Sequence, residues 1–159
     1  MQTFAMTEPW TIRTARPDDH RAIVVVVDDW WGWPVATMLP RLFFDHFCDT
    51  SLVAESSDGL AGFLIGFMSS ARADEAYVHF IGVNPALRTS GLGRELYRRF
   101  IESAAARDRR VVRAITSPQN ERSIAFHRRI GFDVSDPEPD NDRAGADRVM
   151  FTLHVAPNR

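Results

Sequence analysis

The residues with the clearest chemical meaning form the run Val83-Asn84-Pro85-Ala86-Leu87-Arg88-Thr89-Ser90-Gly91-Leu92-Gly93-Arg94. An apolar stretch ends there, Asn84-Pro85 turns the chain, and two glycines open a segment with helical periodicity. Glycine permits close backbone approach to a ligand and φ values closed to other residues. A helix start leaves several N–H groups unpaired and carries a partial positive charge. Together these features read as a pyrophosphate cradle, to which Arg88 adds a cationic contact. Two familiar phosphate loops are excluded. No Gly-Lys-Ser/Thr follows Gly93, and Leu96 stands where a dinucleotide fingerprint needs its third glycine.

The elements that must position this loop follow from local signals. Thr11 to Arg16 reads as a strand, and Pro17-Asp18-Asp19 starts a helix to about Asp29. Trp30-Trp31-Gly32-Trp33-Pro34 reads as an aromatic loop, and Thr37 to Phe47 as a second helix. Ser51 to Ser56 and Leu60 to Ser69 form a hairpin across Ser57-Asp58-Gly59, and Glu75 to Val83 is a third strand. Gly91 to Arg107 is a helix whose stripe is Leu92, Leu96, Phe100 and Ala104. After the strand Val111 to Thr116, Ser117-Pro118 starts a helix that stops at Gly131. Phe132 to Val134 and Val149 to Val155 close the chain, with an acidic loop from Asp136 to Asp147 between them. On the helix, Asn120 and His127 share a face about two turns apart, whereas Phe126 and Ile130 point elsewhere, toward the core. The order gives a single α+β domain over residues 1–159 with a mixed sheet, its first eight residues flexible.

Arg88 to Gly93 resembles the acetyl-CoA motif of the GNAT superfamily of N-acetyltransferases, including the preceding Val-x-Pro. The run Asn120-Glu121-Arg122-Ser123-Ile124-Ala125-Phe126-His127-Arg128-Arg129-Ile130-Gly131-Phe132 resembles that family's second signature. The likeness spans Leu52 to Phe132; before it, only the element order agrees. It implies a mostly antiparallel twisted sheet flanked by helices. Its central strands, Glu75 to Val83 and Val111 to Thr116, would splay into a V that holds the pantetheine of acetyl-CoA. Backbone groups near Ile81 and Val83 would bind that arm, Asn120 would touch it, and the amides of Arg88, Thr89, Ser90, Gly91, Leu92, Gly93 and Arg94 would hold the pyrophosphate. No metal is implied.

The resemblance also frames the catalytic candidates. The family's tyrosine, thought to protonate the departing thiolate, is His127 here. A histidine with a pKa near 6.5 could do the same, or could be a surface residue of a basic helix. His79 lies in the third strand, where alternation puts Tyr77, Ile81 and Val83 on its face. It reads as the base that deprotonates an amine, or as a hydrogen-bonded core histidine; Glu75 is the other candidate base. Trp30, Trp31 and Trp33 form an acceptor wall or cap the core. Asp28, Asp29 and the acidic loop draw a cationic acceptor or are merely solvated.

Composition sets outer bounds. The net charge is −2 and the pI near 6.2, which argues against a nucleic-acid partner. Cys48, the only cysteine, lies among phenylalanines as a buried thiol. The N-terminus has no signal-peptide pattern and the longest apolar run, Ala22 to Val27, is too short for a membrane span. The expectation is a cytoplasmic enzyme, free of membrane, with a homodimer left open. It would acetylate a small-molecule or peptide amine by direct attack. The competing expectation is a non-catalytic acyl-CoA sensor.

Overall fold

The computed structural model describes residues 9–157, so the flexible start expected for residues 1–8 lies outside the described residues. Strand β1 (Trp10–Thr14) and helix α1 (Asp19–Trp31) are joined by one arginine. Arg13 donates from both terminal nitrogens to the Asp19 carboxylate at 2.8 Å and also binds Glu55. The guanidinium holds the Asp19 carboxyl below its usual range. The valine-rich segment is helical because Ile23, Val27 and Trp30 form one buried stripe, which overrides the strand preference of valine.

Two expectations about this region are corrected. Helix α1 runs on to Trp31, so Trp30 and Trp31 belong to its last turn and not to a loop. Gly32 ends it with φ 81°, its N–H bonded to Asp28 O. The expected second helix is broken into a 3₁₀ turn (Ala36–Met38) and helix α2 (Leu42–Phe47). Pro40 stands between them and supplies no N–H.

The remaining strands are β2 (Leu52–Ser56), β3 (Gly59–Met68), β4 (Glu75–Val83) and β5 (Val111–Thr116), then β6 (Asp133–Val134), β7 (Glu138–Arg143) and β8 (Ala146–His154). Helix α3 (Leu92–Ala105) follows β4, and α4 (Glu121–Arg129) follows β5. The acidic segment is thus not a plain loop: β7 folds back on β8 as a hairpin. Helix α4 starts later than expected, with Asn120 as its cap, accepting from Ser123 N–H.

The sheet runs β1-β2-β3-β4-β5-β8-β6 and is antiparallel except where β4 meets β5. One core, with Leu96, Tyr97, Phe100 and Phe151, lies under α3 and α4. The other, with Ile23, Val27, Phe44 and Phe63, lies under α1 and α2. No helix among the described residues is long and apolar enough to cross a membrane.

Two irregularities of β4 matter for the site. It pairs with β5 only from Glu75–Val111 through Tyr77–Arg113, and beyond Tyr77 the two strands part. Its register with β3 also shifts, since Ile65 faces Phe80 while the next residue, Gly66, faces Val78. His79 is the extra residue of a bulge, which re-aims side chains. Ala76, Val78, Ile81 and Val83 therefore pack toward α3 and α4. Phe80 joins the α1–α2 core, and Tyr77 and His79 stack toward α2 through Phe67 and Phe43. The expected alternation, with His79 sharing a face with Ile81 and Val83, is corrected on this ground.

Helix α3 lies so close to the sheet that β3 needs glycine beneath it. A Cβ on Gly66 would fall 2.5 Å from Phe100 Cε2 and 3.0 Å from Tyr77 O. Gly66→Ala is therefore expected to cost about 1–3 kcal/mol of stability through overpacking. Urea unfolding measures this, and an unchanged midpoint would contradict the contact.

Candidate active site

The parting of β4 and β5 opens a cleft of about 940 Å³. Ile81 and Val83 line one side, α4 lines the other, and the loop from Leu87 to Arg94 closes one end. The loop is shaped by its own residues. Asn84 Oδ1 accepts from Ala86 N–H, and Thr89 and Gly91 have φ of 70° and 89°. The N–H groups of Thr89, Gly91, Gly93 and Arg94 have no acceptor among the described residues. Such a run of free amides at a helix start is an anion site by construction. Ser90 lies outside the cleft lining, where its hydroxyl accepts from Leu92 N–H at 3.4 Å.

The two glycines answer different demands. Gly91 is required by its left-handed backbone, with no atom near its missing Cβ. A Cβ on Gly93 would meet the Phe126 ring at 3.1 Å, so this glycine lets α4 approach α3.

Arginines gather at the same place. Arg88, Arg94, Arg122 and Arg129 line the cleft, and none has an ion-pair partner among the described residues. Burial, then the charge of Arg122, pulls the Arg88 guanidinium below its usual pKa. Arg88 also donates to Trp30 O at 2.6 Å, which ties the loop to the end of α1. Sequence reasoning missed Arg122 and Arg129. Arg129 is about one turn from Phe126 and Arg122 is two residues past Asn120, but arginine on a helix is too common to stand out. Asn120 lines the cleft as expected, with Nδ2 bonded to Thr116 Oγ1 at 3.1 Å.

His127 touches the cleft but is only 3% exposed. Its ring stacks on Phe151 at 3.9 Å and meets Tyr97 and Phe132 edge-on. Nδ1 lies 2.7 Å from Ser123 O, which can only accept, so Nδ1 carries the proton. Nε2 then accepts from the buried Tyr97 hydroxyl at 2.7 Å. Burial pushes the imidazolium pKa down to about 4, against a smaller upward pull from Ser123 O. A neutral ring with its one N–H already bonded does not fit the expected role of proton donor to a thiolate. Asn120, Ser123 and His127 all border the cleft, although the His127 ring is packed among aromatics.

His79 is placed on the opposite side of β4, outside the cleft lining and away from His127. Its Nε2 donates to Met38 O at 2.6 Å, which leaves Nδ1 as a free acceptor. Its ring stacks on Phe43 at 4.0 Å. Burial lowers its pKa, opposed by the Met38 bond, so the ring is neutral near pH 7. Glu75 fits the base role less well: it is bound to Arg113 at 3.1 Å, at the closed end of the strand pair.

The acceptor-side expectations divide. Trp30 is buried against Phe63, Trp31 packs on Phe80, and Trp33 is 55% exposed; all three border the cleft. Asp28 is engaged in the chain itself, accepting from Val35 and Ala36 N–H at 2.7 and 2.8 Å. In the hairpin, Asp142 pairs with Arg148, while Asp140 and Asp147 accept turn amides. Cys48 is half-buried against the α1–α2 core.

The buried His127 has a consequence for acid stability. The unfolded chain takes up its proton near pH 6.5, the folded protein only near pH 4. Stability is therefore whole above this window and falls as pH drops through it, by about 3 kcal/mol. Urea unfolding from pH 7 to 4 should show this fall in the wild type and a smaller one in His127→Gln. Equal slopes would contradict the assignment.

Comparison with known proteins agrees with this geometry. Residues 9–132 match the model of the Acetyltransferase (GNAT) family. Over 86 residues the chain is 35% identical to L-2,4-diaminobutyric acid acetyltransferase of Shouchella clausii, covering 54% of this chain and 48% of that protein. The chain thus spans about half the length of the diaminobutyric acid acetyltransferases it matches. Over 135 residues it is 33% identical to N-alpha-acetyltransferase RimI of Mycobacterium tuberculosis, covering 80% and 81% of the two chains. The fold is shared with yncA of Salmonella typhimurium, solved with acetyl-CoA, at a TM-score of 0.72 and 23% identity over 94% and 96% of the chains. Family model, relatives and splayed sheet converge: the chain belongs to the GNAT acetyltransferase family.

Proposed function

We propose that this chain transfers the acetyl group of acetyl-CoA to an amine by direct attack. The observation that carries the reading is the parted strand pair ending in a loop of free amides. In this reading the pantetheine lies between β4 and β5, with backbone groups of Ile81 and Val83 on its amides. The loop amides and Arg88 hold the pyrophosphate, and Arg94, Arg122 and Arg129 add positive charge around the phosphates. Asn120 keeps one N–H for the arm.

The acceptor approaches from the α2 face, where His79 stands. The neutral amine nitrogen attacks the thioester carbon, so a C–N bond forms and the C–S bond breaks. The proton shed by nitrogen passes to His79 Nδ1, directly or through water, and the Met38 contact keeps the ring in the tautomer that can accept it. The thiolate takes its proton from solvent, since His127 has none to spare. No covalent enzyme intermediate is needed, because holding amine against thioester supplies much of the rate. The acceptor class is a small-molecule or peptide amine.

A second reading, an acyl-CoA sensor, is favoured by one observation: the family tyrosine is replaced by a histidine with no free proton. Thiol release from acetyl-CoA over a panel of amines decides between the two. Release with at least one amine is expected; binding without release would favour the sensor.

Two variants test the parts. Gly91→Asp puts a carboxylate where the phosphates would lie, and calorimetry should show CoA affinity reduced at least about tenfold in a folded protein. Unchanged affinity would remove the loop from the site. His79→Gln should lower kcat at least about tenfold with CoA affinity little changed. Full kcat across the pH range would mean that the amine loses its proton unaided.

A further inference from the structure

Arg88 and Trp30 lie 58 residues apart in the chain, and one hydrogen bond joins them: Arg88 Nη2 donates to Trp30 O at 2.6 Å. Among the described residues it is the only hydrogen bond between α1 and the segment 84–94. The sequence leaves this carbonyl open. In a continuing helix Trp30 O would accept from the N–H four residues on, but that residue is Pro34, which has none. The last turn of α1 holds Asp28 and Asp29 and no basic residue, so this partly negative helix end has no cation of its own. Arg88, from another element, supplies donor and charge together.

The bond holds a wall of the cleft. Trp30, Trp31 and Trp33 border it. Trp31 leans on β4: its ring centroid is 4.6 Å from that of Phe80, and a Cβ on Gly82 would fall 3.0 Å from its Cζ3. Gly82 stands between Ile81 and Val83, the residues placed on the pantetheine in the reading above. Asp28 fixes the chain beyond Gly32 by accepting from Val35 and Ala36 N–H. Arg88 also lines the cleft and precedes the free amides of Thr89 and Gly91. A guanidinium has five N–H donors in a rigid fork, and Trp30 O uses one of them. Arg122 is near enough to disfavour the Arg88 charge, a repulsion that an anion beside both would offset.

We propose that Arg88 is a positioning residue that spans from the CoA phosphates to Trp30 O, so that filling the phosphate loop fixes the end of α1 and its tryptophans where the acceptor is met. The proposal rests on the transfer reading above and gives Arg88 a second duty there. Phosphate binding alone needs only a positive charge at position 88. Bridging needs two donors held in one plane, which arginine has and lysine lacks. Coupling of this kind is reciprocal: CoA and acceptor each tighten the other by the same factor.

The test follows amide hydrogen exchange by mass spectrometry in the full chain, with and without CoA at a concentration that calorimetry shows to be saturating. Residues 27–33 report the end of α1, and residues 89–94 report the loop itself. In the wild type, CoA should slow exchange over 27–33 at least about tenfold, the equivalent of about 1.4 kcal/mol and the size expected of one charge-assisted hydrogen bond. Arg88→Lys and Arg88→Gln, each saturated with CoA, should keep the slowing over 89–94 and lose most of it over 27–33. Two variants are used so that one misfolded protein does not decide the matter. A structural role alone would loosen the end of α1 equally with and without CoA, and the ratio of the two rates would stay at its wild-type value. That ratio in a folded variant, or no slowing in the wild type, would overturn the bridge. With an acceptor found in the amine panel, Arg88→Lys should also raise the acceptor KM about tenfold at saturating acetyl-CoA while kcat changes less. An unchanged KM would overturn the link to the acceptor. If CoA binds and no amine is acetylated, the transfer reading fails by itself, and the exchange ratio still decides whether the bridge exists.

Discussion

Two strands in the middle of a sheet that stop pairing with each other are the constraint from which the rest of this molecule follows. Past Tyr77 and Arg113, β4 remains bonded to β3 and β5 to β8, but the edges that face each other are free. Buried backbone N–H and C=O groups need partners. A sheet can keep such an internal edge only if water or a ligand with amide groups supplies them. The bulge at His79 belongs to the same distortion. It lets β4 follow β3 to the end while turning two neighbouring side chains onto one face. The cleft on one side and the histidine with its aromatic neighbours on the other are two results of one irregular strand.

Electrostatics add a second layer, and it is local. The chain is slightly acidic overall, yet four arginines without ion-pair partners surround the cleft among the described residues. Several arginines elsewhere are tied down: Arg13 by Asp19 and Glu55, Arg98 and Arg99 by Glu95, Arg113 by Glu75. The field that an anionic ligand meets depends on which cations are left over after pairing, a quantity that net charge does not contain.

Much of this was legible in the chain itself, for local reasons. The loop from Val83 to Arg94 is recognisable because its turn residues, glycines and helical stripe are consecutive. The same holds for the strands around it, whose bounds agree closely with expectation. What was not legible is relational. A bulge is a mismatch of register between β3 and β4, and neither strand announces it alone; so the face of His79 was misjudged. His127 reads as polar on a basic helix, and only tertiary packing shows it enclosed by Phe151, Tyr97 and Phe132. Strand β7 is exposed along its whole length, so no buried-exposed alternation could mark it. Pro40, by contrast, was a visible break that the helix expectation passed over.

The close helix–sheet contact bears on how this chain tolerates change. A Cβ on Gly62 would fall 2.9 Å from Gly82 O, and one on Gly82 would fall 2.6 Å from the Phe63 ring. Gly62 and Gly66 are closed to a side chain under α3, and Gly82 is closed on the α1 side by Phe63 and Trp31, so both faces of β3 and β4 carry a crowded seam. In a saturation scan scored only by survival of activity, the seam would be as intolerant as any residue that touches a substrate. Measured protein abundance would separate the two kinds of intolerance, since a substitution in the seam lowers the amount of folded protein and a histidine lost from the site leaves it in place.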